Sequence, residues 1–194
     1  MAIQTVGFNS TKSSDSPERI ALLTFTLAGQ LYGLPINQVV RIIEMVTITQ
    51  LPGVPDLIHG VINLGGKVVP VMDLRHRFGL PPQAYGLHTP IVLADIDVGH
   101  GILGLIVDTV EHVLDVSGND LEITEAIVPA ALTNQVSIET AHLAGVAKVD
   151  RQMILVLDVP ALLSPADKAN LSRTLADGRS RLTNYPNPGD AGCI

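Results

Sequence analysis

The chain has 194 residues, 46% hydrophobic, 16% charged and 3% aromatic, with a formal net charge of −7. Leu, Ile and Val supply 63 of the 194, which excludes a disordered chain, and no apolar run reaches the roughly 18–20 residues of a membrane-spanning helix, so direct membrane insertion is not expected. The twelve Lys and Arg residues form no cluster, and phosphate binding needs a basic stripe, so nucleic acid is not an expected partner.

In chain order, residues 1–17 are polar and read as a flexible N-terminal arm with no apolar signal core. Residues 20–27 and 31–36 read as strands around a turn at Ala28-Gly29. Leu51-Pro52-Gly53-Val54-Pro55 is a rigid loop, its two prolines fixing φ. Residues 60–64 and 67–74 flank Gly65-Gly66, a pair suited to the positive φ angles of a tight hairpin. Pro70 lacks an N–H, so its strand is expected at a sheet edge or at a bulge. Asp73 is placed to cap a helical turn over 74–78, stopped by Gly79.

A second series of strands follows at 90–96, 102–107, near 110–116, 145–148 and 153–159. Asp158 is expected to cap the turn after the last. Ser164-Pro165 then gives an N-cap and a first helical residue, and Gly178 a stop, so a C-terminal helix is expected over 165–178. Residues 179–194, with Pro186, Pro188 and Gly189, read as a flexible tail. About ten short strands and one helix make a mainly β protein, and closed barrels remove exposed edges.

Two segments of the first half recur in the second. Residues 33–43 and 104–114 share G-L-x-[IV]-[ND]-x-V-x-x-[IV]-[IL] at an offset of 71. Gly60 and Asp73 recur as Gly145 and Asp158 at an offset of 85. The second copy therefore has the same order of elements with 14 more residues, lying within 115–142. Gly60, Gly66, Asp73, Gly145 and Asp158 are expected as turn and cap positions of this repeat. Two similar barrels side by side would leave a groove suited to a ligand or a partner helix.

No catalytic set emerges, so an enzyme is not expected, and neither is a cofactor. Gly99-His100-Gly101-Ile102-Leu103-Gly104 fits G-x-G-x-x-G, but a dinucleotide site needs the third glycine to open a helix, and Gly104 lies within a strand pattern. A hairpin is the expected reading, with a nucleotide-binding enzyme as the remote alternative. His59, His76, His88, His100, His112 and His142 have no i, i+4 pair and no nearby cysteine, so each is expected as a surface or loop residue rather than a metal ligand. Asp95 and Asp97 would share one face of a strand, without the ligand spacing of a calcium loop. The single cysteine, Cys193, cannot form an internal disulfide, and a cytoplasmic setting is expected.

The residues Tyr32-Gly33-Leu34-Pro35-Ile36, Leu51-Pro52, Gly60-Val61-Ile62-Asn63-Leu64, Gly66, Val69-Pro70-Val71-Met72-Asp73-Leu74-Arg75, Phe78-Gly79 and Ile106-Val107-Asp108 resemble, in order, the CheW domain of bacterial chemotaxis. The resemblance spans about residues 20–164. It implies two SH3-like five-stranded β-barrel subdomains in a pseudo-symmetric pair, here expected over 18–85 and 86–164, followed by the C-terminal helix. It also implies a non-enzymatic adaptor that joins the cytoplasmic tip of a chemoreceptor to the regulatory domain of a CheA-type histidine kinase, recruited to membrane-associated receptor arrays. Val39, Arg41, Ile42, Asn63 and Gly65 are the receptor-binding positions so implied. Family members commonly carry an acidic residue in place of Arg41 and an arginine in place of Gly65. These two departures open a further alternative, an adaptor specialised for a non-chemotactic pathway such as pilus motility or biofilm control.

Overall fold

The computed structural model describes residues 19–97, 101–123, 142–149 and 151–182. The expected arm, the tail beyond 182 and most of the extra length within 115–142 lie outside the described residues, as do 98–100 of the glycine motif.

Tight turns organise the strands locally. Ala28 (φ 50°) and Gly29 (φ 80°) join β1 (Arg19–Leu27) to β2 (Gln30–Pro35). Gly65 (φ 58°) and Gly66 (φ 86°) join β4 (Ile58–Leu64) to β5 (Lys67–Asp73), the double positive φ expected of this pair. Asn63 Oδ1 closes that turn by accepting from the Gly66 N–H at 2.8 Å.

The remaining strands are β3 (Val39–Glu44), β6 (Pro90–Asp97), β7 (Gly101–Ile106), β8 (Thr109–Ser117), β9 (Leu121–Ile123), β10 (Leu143–Val149) and β11 (Gln152–Leu157). They form two sheets: a six-stranded one in the order β8-β1-β2-β11-β10-β9, and a five-stranded one in the order β3-β6-β7-β5-β4. The fold is mainly β, as expected, with the short β9 as the sixth strand of one sheet.

The division at residues 85 and 86 does not follow the sheets. β1 and β2 pair with β8 and β11 of the second half, while β6 and β7 pair with β3 and β5 of the first. Each half thus contributes its first hairpin to one sheet and its later strands to the other. The repeat sets the register of this exchange. Val156 lies opposite Gly33 in one parallel pair, and Val71 opposite Gly104 in the other; these are matching positions at the two sequence offsets. Even β9 has a counterpart, the isolated bridge Thr49–Val61 beside β4.

The glycines of the parallel pairs are needed for close approach. A Cβ on Gly33 would lie 3.0 Å from Ile154 Cγ2, and one on Gly104 3.1 Å from Ile91 Cγ2. Gly104 therefore serves strand packing within β7 and opens no helix. Gly60 and Gly145 sit at register breaks inside β4 and β10 rather than at turns; a bulge, with its local bend, is what these positions require. Pro70 is likewise not on an edge strand, since β5 lies between β4 and β7. Its missing N–H is tolerated because the ladder with β7 begins one residue later, at Val71.

Strands buried on both faces explain the aliphatic composition. Val92 and Ala94 of β6, with Leu155 and Leu157 of β11, enter one large core shared by the sheets. Alternate residues on the same strands, Ile91 and Leu93, and Ile154 and Val156, fill a smaller core belonging to each sheet. At the shared core Tyr32 stacks between Phe25 (5.8 Å between centroids) and Phe78 (5.7 Å). Its hydroxyl is buried with no hydrogen-bond partner among the described residues, and burial raises its pKa. An unmade buried hydrogen bond costs about 1–3 kcal/mol. Tyr32→Phe should therefore keep the stack and raise the unfolding free energy by about 1 kcal/mol in urea denaturation; a loss of stability would show that the hydroxyl is satisfied.

The helix α1 (Leu74–Arg77) is capped as expected, with Asp73 Oδ1 accepting from the Arg75 N–H at 2.8 Å. Asp158 Oδ1 accepts more weakly from the Ala161 N–H, at 3.4 Å. At the start of α2 (Pro165–Leu182), Ser164 and Asp167 form a reciprocal cap: Ser164 Oγ accepts from the Asp167 N–H at 3.1 Å and Asp167 Oδ2 from the Ser164 N–H at 3.2 Å. The helix runs past Gly178 to Leu182, four residues into the expected tail, because a glycine costs a helix interior only about 1 kcal/mol. Leu171 joins the shared core, and the Thr174 hydroxyl donates to the Gly53 carbonyl at 3.2 Å.

Candidate functional site

Among the described residues β3 is an edge strand, hydrogen-bonded only to β6. A register break between Val39 and Arg41 bulges it. Val39 lies opposite Ala94 and Ile42 opposite Val92, and cross-strand partners share a face, so both side chains look toward the shared core. Val39 packs against that core, whereas Ile42 stays 43% exposed at its margin. Arg41 and Ile43 lie opposite Leu93 and Ile91 and so belong to the other face. Ile43 packs inward there and Arg41 is exposed. Ile36, Val40 and Val46 are also exposed around this strand.

The pseudo-symmetric position repeats the arrangement. β8 is the edge of the six-stranded sheet, and its Val113, which matches Ile42 at the 71-residue offset, is 52% exposed opposite Leu23 of the shared core. Here the bulge is filled by the buried Thr24, whose hydroxyl donates to the His112 carbonyl at 2.7 Å.

Asn63 and Gly65 are exposed on the β4–β5 hairpin, at the opposite margin of the five-stranded sheet from β3. The chain that leaves β3 crosses back to β4 through two backbone hydrogen bonds between Thr49 and Val61, each 2.8 Å. The five expected receptor positions thus fall on two elements, and Arg41 faces away from Val39 and Ile42. Sequence reasoning missed Ile36, Val40, Val46 and Val113; the match of Val113 to Ile42 in the repeat was the available signal.

The interior polar groups hold segments together. Arg75 makes a bidentate pair with Asp108, Nε to Oδ1 at 2.5 Å and Nη2 to Oδ2 at 2.6 Å, and donates through Nη1 to the Pro81 carbonyl. Asp108 Oδ2 also accepts from the Ala28 N–H at 2.8 Å. Burial disfavours the Asp108 carboxylate, but the Arg75 hydrogen bond, the Ala28 amide and the Arg75 charge outweigh it and hold its pKa below the usual value. Tyr85 donates to Asp73 Oδ2 at 2.6 Å. His142 is buried rather than on the surface. Its Nδ1 lies 2.9 Å from the Ala161 carbonyl, which can only accept, so Nδ1 carries the proton and Nε2 accepts from Arg77 Nη2 at 2.6 Å. Among the described residues no three His, Cys, Asp or Glu side chains come together as a metal site, and no helix is long and apolar enough to cross a membrane.

The CheW-like domain family matches residues 21–167, most of the chain. The chain belongs to the CheW-like domain family. This CheW-like chain is 32% identical over 147 residues to the chemotaxis protein CheW of Klebsiella aerogenes, covering 76% of itself and 83% of that protein. It is 33% identical over 145 residues to the chemotaxis protein CheW of Bacillus subtilis, covering 73% of itself and 85% of that protein. Among solved structures, the scaffolding protein TtCheW from Thermoanaerobacter tengcongensis superposes with a TM-score of 0.66 at 32% identity, over 77% of this chain and 96% of that one. The mainly β, two-sheet fold is therefore shared with a solved CheW scaffold.

Proposed function

We propose that this CheW-like chain is a cytoplasmic scaffold of bacterial chemotaxis, without chemistry of its own, that couples a chemoreceptor tip to the regulatory domain of a CheA-type histidine kinase. The observation that carries this reading is the set of aliphatic side chains left exposed on and around the two edge strands: Ile36, Val40, Ile42, Val46 and Val113. Clustered exposed aliphatics mark protein interaction surfaces, whereas the interior carboxylates and Arg side chains are engaged in structural pairs. A receptor helix would lie against Val39 and Ile42, with Asn63 and Gly65 at the border of the contact. Recruitment to the membrane-associated array would follow from binding the receptor.

Ile42→Asp tests this directly. The side chain is half exposed, so the fold should be retained, while a charge placed in the apolar contact should weaken binding of a receptor-tip helical hairpin by at least about tenfold in a calorimetric titration. Unchanged affinity with an unchanged Tm would remove β3 from the contact.

A further inference from the structure

The segment from Gln50 to His59 and helix α1 border an open cleft of about 440 Å³, within the size range of small-ligand sites. Gln50, Asp56, His59 and His76 line it, and its wall is mainly polar. The cleft lies at the start of β4, on the margin of the five-stranded sheet opposite β3. Its walls are held in place from several sides. The Ile58 N–H donates to the Pro55 carbonyl at 2.8 Å, and the Gly53 carbonyl accepts from the Thr174 hydroxyl of α2 at 3.2 Å. The His59 ring meets Tyr85 edge-on with 5.4 Å between centroids, and the Tyr85 hydroxyl is tied in turn to Asp73.

Asp56 is the one Asp, Glu, Lys or Arg of the lining. The side chains of Gln50, Asp56 and His76 make no hydrogen bond or ion pair with the rest of the described chain, so their bonding capacity is left to solvent or to a ligand. A carboxylate only accepts, an amide oxygen accepts, and a neutral imidazole keeps one accepting nitrogen. The cleft is thus rich in acceptors around a single negative charge. A guanidinium answers that pattern: it is planar and permanently charged, it pairs with a carboxylate through two parallel N–H groups, and it has further donors for the flanking acceptors. A metal ion does not, since no three His, Cys, Asp or Glu side chains come together among the described residues. An anion would meet the carboxylate on a chain of net charge −7. We propose that this cleft binds a guanidinium group, carried by a free small molecule or by an arginine side chain.

The test titrates the full-length chain with acetyl-arginine amide and with acetyl-citrulline amide, which has nearly the same shape without the charge, followed by calorimetry and by amide NMR shifts. The arginine compound should bind saturably and at least about tenfold more tightly, with shifts at residues 50–59 and 76. Asp56→Asn should abolish the difference, and His76→Lys, which brings a cation to the wall, should weaken the arginine compound. Both change exposed side chains and should leave Tm unaltered. An acetyl-Gly-Arg-Gly amide that binds no more tightly than the arginine compound assigns the cleft to a free guanidinium ligand, and tighter binding of the peptide assigns it to the side chain of a protein. No saturable binding of arginine in either form, equal binding of citrulline, or a preference that survives Asp56→Asn would overturn the proposal.

Discussion

Replacing Asp108 with Asn should lower the unfolding free energy by about 3 kcal/mol at neutral pH, the scale expected when one partner of a largely buried ion pair is removed. The Asp108 side chain is 17% exposed and the Arg75 side chain 12%, so the Arg75 charge would lose its carboxylate without regaining full hydration. The position magnifies the effect. Asp108 lies where the chain passes from β7 in one sheet to β8 in the other. It ties Arg75, next to the five-stranded sheet, to the Ala28 amide in the β1–β2 turn of the six-stranded sheet. Loss of the carboxylate loosens both sheets at once. Its pH dependence follows from the lowered pKa. A carboxyl whose pKa is lower folded than unfolded stabilises the protein fully above its unfolded value, about 3.9, and that contribution is lost as pH falls through the folded value. Urea unfolding should therefore show a large gap between native and Asp108→Asn chains at about pH 7, and one that narrows progressively as pH falls below about 4. A gap independent of pH would show that lost packing, rather than the charge, sets the cost.

Gly60→Ala should destabilise by about 3 kcal/mol, at the upper end of over-packing effects. A Cβ at Gly60 would stand 2.6 Å from Ile48 Cγ2 and 2.7 Å from the Thr49 carbonyl oxygen. The second atom is backbone and makes one of the two Thr49–Val61 hydrogen bonds, so rotation of a side chain cannot relieve the clash. The segment after β3 would have to leave β4, and with it the hydrogen bonds that bring the β3 end of the candidate docking surface back across the sheet. Gly86→Ala provides the comparison. There an added Cβ would meet only Thr89 Oγ1, at 3.9 Å, and the change should stay within about 0.5 kcal/mol. Thermal and urea unfolding of both variants measures the difference; equal stabilities would mean that the Thr49–Val61 bridge contributes nothing to the fold.

The turn chemistry was legible because it is local. Gly65-Gly66, Asp73 and Ser164-Pro165 have the roles their residue types imply. Where a local rule is broken, tertiary contacts supply the reason. Arg151 takes a φ of 67° at the position matching Gly66, held in the left-handed region by the hairpin pairing Lys148 with Met153 and Val149 with Gln152. His142 is polar and was expected outside, but the Ala161 carbonyl and Arg77 satisfy both ring nitrogens in the interior. Of the candidate site, Ile42 and its neighbours fell in no expected strand, although residues 33–43 match 104–114 and so place them beside the strand expected near 110–116. Their exposure was not legible, because exposure depends on which strand becomes the edge.

The sequence by itself determined that this chain is a duplicated, mainly β protein of the CheW-like family, with hairpins and caps at defined residues. Its 63 large aliphatics also excluded a disordered chain. Only the tertiary structure decided that the halves exchange their hairpins, so that β1 and β2 join β8–β11 while β6 and β7 join β3–β5. The physical reason is that register patterns distinguish a buried face from a wet one. Here alternate residues enter two different apolar cores, and a side chain such as Val92 or Leu93 is equally suited to either. What separates the arrangements is long-range: the parallel pairing of Gly33 with Val156 and Gly104 with Val71, and the Arg75–Asp108–Ala28 link at one crossing of the chain.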